Sequence, residues 1–189
     1  MAEERNIHVK LGMAEGLGCV LVAYLTFMVA MLAFDQITTG LGGSAILAVS
    51  YWVGIAFLIV TVVAFFNENY LMSCVFGILG VFTLAFPQIA ADQTLMNGGM
   101  AVIFVGVVLL VLTIVSMVQP IRLVPIFLLM AALMFFFIGL WWGDMANDTY
   151  KMLMGVFAFI TMLLALYFVA AVGVLVIKGK PLLPLLIKS

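Results

Sequence analysis

The stretch LGMAEGLGCVLVAYLTFMVAMLAF, Leu11 to Phe34, decides how the chain must be read. A helix that crosses a bilayer needs about 20 apolar residues, and this run supplies them. It also holds Glu15, the one acidic residue inside an apolar run. A carboxylate at the centre of a bilayer costs at least about 2.5 kcal/mol, so such a group must be solvated, paired or used.

Five further apolar runs follow. Together the six cover approximately 13–34, 44–66, 70–91, 98–119, 121–142 and 152–177. The breaks are short: Asp35 to Gly43, Asn67-Glu68-Asn69, Ala91 to Gly99, Pro120 with Arg122, and Gly143 to Lys151. Each run is far longer than the roughly 9–11 residues of a membrane barrel strand, and none alternates apolar with polar. The expected fold is therefore an all-α membrane protein, a single six-helix transmembrane domain over residues 1–189. The first run is longer than the roughly 7–15 residues of a signal-peptide core and lacks a small-residue cleavage site, so it is expected to stay as a span.

Composition points the same way. Of 189 residues, 68% are hydrophobic and 8% charged, against roughly 25% charged in soluble domains. Seven basic and eight acidic residues cannot coat a soluble core or bind nucleic acid. Lys and Arg mark the cytoplasmic side of a membrane protein. Arg5, Lys10, Arg122, Lys178, Lys180 and Lys188 fall on one side, whereas Lys151 with Asp35, Asp92, Asp144 and Asp148 fall on the other. Both termini are thus expected in the cytoplasm of a multi-pass plasma-membrane protein. Trp141 and Trp142 would then lie at the outer interface.

No arrangement of residues suggests an enzyme. His8 is the one histidine, no Cys/His/carboxylate cluster has metal spacing, and no glycine-rich phosphate loop occurs. Neither cofactor nor metal is expected. Cys19 and Cys74 lie within apolar runs and read as structural thiols. The polar residues within spans are few, which argues against a wide aqueous pore and for a narrow, mostly apolar path. At about 100° per residue, Asn69, Phe76, Gly80, Thr83 and Pro87 share one side of the third span. Arg122, Leu129, Leu133 and Phe136 share one side of the fifth. Arg122 would either raise the local concentration of small anions or meet a lipid headgroup. Phe76 and Leu129 read, on periodicity alone, as ordinary packing. Gly12 and Gly16 have the spacing that allows close helix approach.

The chain resembles the acetate uptake transporter family, which includes the bacterial succinate–acetate permeases. Asn67-Glu-Asn with Phe76-Gly77 and Phe82, the segment Arg122 to Gly139, and Ala165-Leu166-Tyr167 followed by Leu183-Pro184 are similar to that family's third, fifth and last helices. The resemblance implies a short monocarboxylate substrate, acetate foremost, and a homo-hexamer with a path through each subunit. It implies a constriction formed by Leu17, Phe76 and Leu129. Asn69, Gly80, Thr83, Tyr24 and Phe136 are further candidates for that path. Four features depart from the family pattern, one of them Tyr70-Leu71 in place of the first aromatic–glycine pair of the third helix. The segment Asn6 to Gly12 lacks its prolines, Glu15 stands where the family is usually apolar, and Leu17 stands where it often has phenylalanine.

The functional expectation is a channel or transporter for acetate or a similar small carboxylate in the lipid bilayer. Proton coupling would fit, because a carboxylate crosses a dry constriction far more cheaply as the neutral acid. Glu15 is the candidate proton carrier. A channel for a neutral amide such as urea, or a non-transporting membrane scaffold, are the alternatives. A regular helix separates Glu15 from Leu17 by about 200°, so both cannot face one path. The resemblance puts Leu17 on the path and turns Glu15 toward a neighbouring helix.

Overall fold

The computed structural model describes residues 13–37, 41–91, 93–119 and 121–178. The segments holding His8, Lys10, Asp92, Pro120 and the Leu183-Pro184 tail lie outside them. Six long helices make up the described chain: α1 Met13–Ala33, α2 Leu41–Phe66, α3 Tyr70–Ile89, α4 Met100–Ser116, α5 Leu123–Gly143 and α6 Asp148–Lys178. All six are long and apolar enough to cross a membrane. Each packs against its neighbours in the chain, and α6 returns against α1, so the helices close into a ring. The most extensive pairings are α2 with α3, α1 with α6 and α4 with α5.

Local chemistry sets the boundaries. Between α2 and α3 the chain reverses in three residues, with Glu68 at φ 62°. Asn69 then caps α3 by accepting from the Met72 amide at 3.3 Å, satisfying one of the helix's orphan donors. Before α6, Asn147 Oδ1 accepts from the Thr149 and Tyr150 amides. That cap starts α6 at Asp148, ahead of its apolar stretch. Pro125 lies in the first turn of α5, where its missing N–H breaks no helical bond.

A single turn of π-helix, Leu95–Gly99, leads into α4. It packs against α5. A Cβ on Gly139 would come within 2.6 Å of the Gly99 carbonyl oxygen, and one on Gly99 within 2.9 Å of the Gly139 oxygen. Glycine at both positions lets the two backbones touch, the small-residue packing common between membrane helices. Gly16, by contrast, has nothing within 4 Å of where its Cβ would be. At the far end of the bundle Lys151 forms an ion pair with Asp35, tying the start of α6 to the end of α1. Aromatic stacking adds to the packing of α5 on α6, with Phe137 and Phe157 parallel at 5.4 Å.

Candidate functional site: an interior cavity between two aromatic layers

Between the helices lies a partly open cavity of about 80 Å³ lined by α1 to α5. Its wall is almost wholly hydrocarbon, with Leu109, Leu128 and Met134 among the side chains facing it. Three hydroxyl residues interrupt that wall, one from each of the first three helices: Thr26, Ser50 and Thr83. All three are buried. Each donates its proton to a carbonyl of its own helix. Thr26 Oγ1 donates to Val22 O at 2.8 Å, Ser50 Oγ to Leu47 O at 2.8 Å and Thr83 Oγ1 to Leu79 O at 2.7 Å. Back-bonding of this kind satisfies a hydroxyl inside a helix. The Thr83 oxygen also lies against α2, where a Cβ on Gly54 would come within 2.9 Å of it.

Aromatic side chains gather toward both ends of the cavity. Toward Asn69, Phe57 lines the cavity and stacks on Phe76, with ring centroids 5.9 Å apart and planes at 13°. Phe76 is completely buried. Its ring tip lies against the α1 backbone at Gly18, where a Cβ would come within 2.3 Å of Cζ. Only glycine at position 18 leaves room for that ring. Toward Trp142, Phe82 meets Phe135 edge-on at 5.3 Å, and Phe86 packs on Trp142 at 6.0 Å.

Beyond the Phe76 layer lies Glu15. It is 0% exposed. Asn69 Nδ2 donates to its Oε1 at 3.3 Å, while Asn69 Oδ1 holds the α3 cap. Glu15 Oε2 is buried without a hydrogen-bond partner. Cys19, one turn further along α1, is buried as well. Glu15, Cys19, Val22 and Thr26 therefore form one continuous inward face that runs from the carboxyl to the cavity wall.

The site residues expected from the sequence are not all brought together. Thr83 lines the cavity, Phe76 lies one layer behind its floor, and Asn69 holds Glu15. Leu17 is 52% exposed and Tyr24 43% exposed, both on the outer surface of the chain. Leu17, expected on the path, thus lies on the outer surface of the single chain, whereas Glu15 turns toward a neighbouring helix as expected and meets Asn69 at the start of α3. Gly80 packs against Leu58 of α2. Leu129 and Phe136 are half-buried and do not line the cavity. Arg122 is exposed at the start of α5, toward the end of the bundle that holds Asn69. Thr26, Ser50 and Phe57 were not singled out from the sequence as path residues. The signal available for the first two was their rarity, since a hydroxyl within an apolar span tends to face the bundle interior.

Among known proteins, the chain is similar to the structure of the bacterial acetate channel SatP. The match has a TM-score of 0.79 and 17% sequence identity, and it covers 93% of this chain and 99% of that one. At this identity the likeness establishes a shared fold: six membrane helices in the arrangement of an acetate channel. No family model and no curated protein matches the sequence.

Proposed function

We propose that the chain is a membrane channel or transporter for acetate or a similar short monocarboxylate. The observation that carries this reading is the cavity of about 80 Å³ at the centre of a fold shared with an acetate channel. An apolar cavity of about 150 Å³ accommodates benzene. A space half that size suits a solute of about four non-hydrogen atoms, which is the size of acetate.

The Phe57–Phe76 layer is the closure on one side of the cavity. A change of the Phe76 side-chain rotamer would join the cavity to the Glu15–Asn69 pair. Glu15 is the proton carrier in this scheme, because one of its oxygens is buried and uncommitted. Arg122 draws anions to the same end of the bundle. Leu17 and Tyr24 face outward from a single chain, and a second copy in a hexamer would cover them. Both termini are assigned to the cytoplasm by the Lys/Arg distribution.

The test is uptake of labelled acetate into proteoliposomes, with urea as comparison, with and without a pH gradient. Acetate entering faster than in protein-free liposomes, and faster still with an inward proton gradient, is the expected result. No acceleration of acetate would end this reading.

A further inference from the structure

The six helices are not held to one another equally. α2 and α3 form a hairpin whose inner packing is the most extensive in the chain, whereas α2 meets α1 and α3 meets α4 far less. Within the hairpin the two backbones come close at glycines. A Cβ on Gly54 would come within 2.8 Å of the Leu84 amide nitrogen, and one on Gly80 within 3.2 Å of Phe57 Cβ. Ser73 Oγ donates from α3 to the Thr61 carbonyl of α2 at 3.1 Å. The other helices form a second unit. Gly99 meets Gly139 where the π-turn packs on α5, and Ala33 of α1 lies 2.7 Å from where a Gly155 Cβ on α6 would be. Phe137 stacks on Phe157 between α5 and α6.

The hairpin is tethered at one end only. Its two chain connections, from Ala33 to Leu41 and from Ile89 to Leu95, both leave at the end of the bundle away from Asn69. Its turn, Asn67 to Asn69, lies at the Glu15 end. There it meets α1 through the Asn69–Glu15 hydrogen bond, long at 3.3 Å, and through the Phe76 ring over Gly18. At the tethered end ring meets ring, Phe82 against Phe135 and Phe86 against Trp142.

From this asymmetry we infer that the α2–α3 hairpin is a hinged gate with Asn69 as its latch. Sparse packing to its surroundings lets a unit open on its own, and hinges sit where such a unit is tethered. The hairpin swings about its tethered end and its tip leaves α1. Phe57 and Phe76 both belong to the hairpin, so their stack lifts off Gly18 intact. The cavity then joins the Glu15 end without either ring changing rotamer. Asn69 serves both bodies: its Oδ1 caps α3 inside the hairpin, while its Nδ2 fastens the tip to Glu15. The inference rests on the transport reading above and concerns how the path is opened.

The experiment uses the full-length protein in liposomes, with Cys19 and Cys74 replaced by alanine and serine and spin labels at exposed positions. One pair, Phe66→Cys with Val118→Cys, reports the hairpin against α4 at the Asn69 end. The other, Gln88→Cys with Met145→Cys, reports the hairpin against the end of α5 at the tethered end. Labelled chains are diluted with unlabelled ones, so that double electron–electron resonance reads distances within one chain. The expected result is two distances at the Asn69 end, the longer gaining population with acetate, and one distance at the tethered end. Asn69→Asp keeps a capping oxygen but, as a carboxylate, has no proton to donate. It should raise the ratio of long to short at least about 2-fold, the lower worth of one hydrogen bond. A single distance at the Asn69 end that neither acetate nor Asn69→Asp alters, or equal changes at both ends, overturns the inference. Uptake of labelled acetate is measured on the same liposomes. A moving hairpin without acetate uptake ends the acetate reading and leaves the hinge; acetate carried past a fixed hairpin does the reverse.

Discussion

The two sides of α1 have opposite chemistry at the same depth. One side presents Glu15, Cys19, Val22 and Thr26, all buried among other helices. The other presents Leu17, Val20, Tyr24 and Phe27, all substantially exposed. In a soluble protein the apolar side would be the buried one. In a bilayer the outer solvent is as apolar as leucine, so burial follows polarity and small size instead. The acid and the hydroxyl go inward because that is where they find partners. Val20, Leu17 and Phe27 go outward at no cost.

Substitutions can break or sharpen this contrast. The largest effect is expected at Phe76. Phe76→Ala should cost about 3–5 kcal/mol, as for other buried phenylalanines, and should open the cavity toward Glu15. Thermal unfolding in detergent and acetamide leak would report the two consequences. Phe66→Ala, on an outward ring that is largely exposed, should change stability by no more than about 0.5 kcal/mol. The next effect separates two glycines of α1. Gly18→Ala drives a methyl group into the Phe76 ring and should cost about 1–3 kcal/mol. Gly16→Ala meets nothing within the chain and should gain up to about 1 kcal/mol from helix propensity. If Gly18→Ala proves as harmless as Gly16→Ala, the assignment of faces is wrong.

Glu15→Gln keeps an oxygen for Asn69 and should shift stability by about 1 kcal/mol or less. It should also flatten the pH profile of acetate flux. An unaltered profile would deny Glu15 the proton. The smallest effects belong to the periphery. Asp35→Asn removes an ion pair whose Asp35 partner is mostly exposed, worth about 0–1 kcal/mol. Leu17→Ala should leave the isolated chain's stability within about 0.5 kcal/mol. A fall in assembly mass by light scattering in that variant would show that a second copy covers this face.

The six helices were legible because their cause is local. Length of apolar run, the three-residue break at Asn67 to Asn69 and the glycine-rich loops are all written in consecutive residues. The rotation of each helix about its axis was less legible. Spans that are apolar on every side carry almost no amphipathic signal, so α5 could be turned only by which residues touch which. In α1 the signal existed: Glu15, Cys19 and Thr26 share one side. The family pattern put Leu17 on the path, whereas in the single chain the buried face is that of Glu15. The start of α6 was missed because Asn147 caps it from within a polar loop. The closure by Phe76 was visible as a candidate, but the role of Gly18 as its seat was not. That role depends on two helices meeting across more than fifty residues of sequence.

The Glu15–Asn69 hydrogen bond joins two partners that are synthesised at different times. Its two partners are 54 residues apart in the chain. At about 5–20 residues per second of synthesis, Asn69 follows Glu15 by roughly 3–11 s. Through that interval α1 carries an acid whose amide partner has not yet been made. The ring is closed later still, since Asp35 waits 116 residues for Lys151. A chain interrupted after α5 would thus lack the helix that packs along α1.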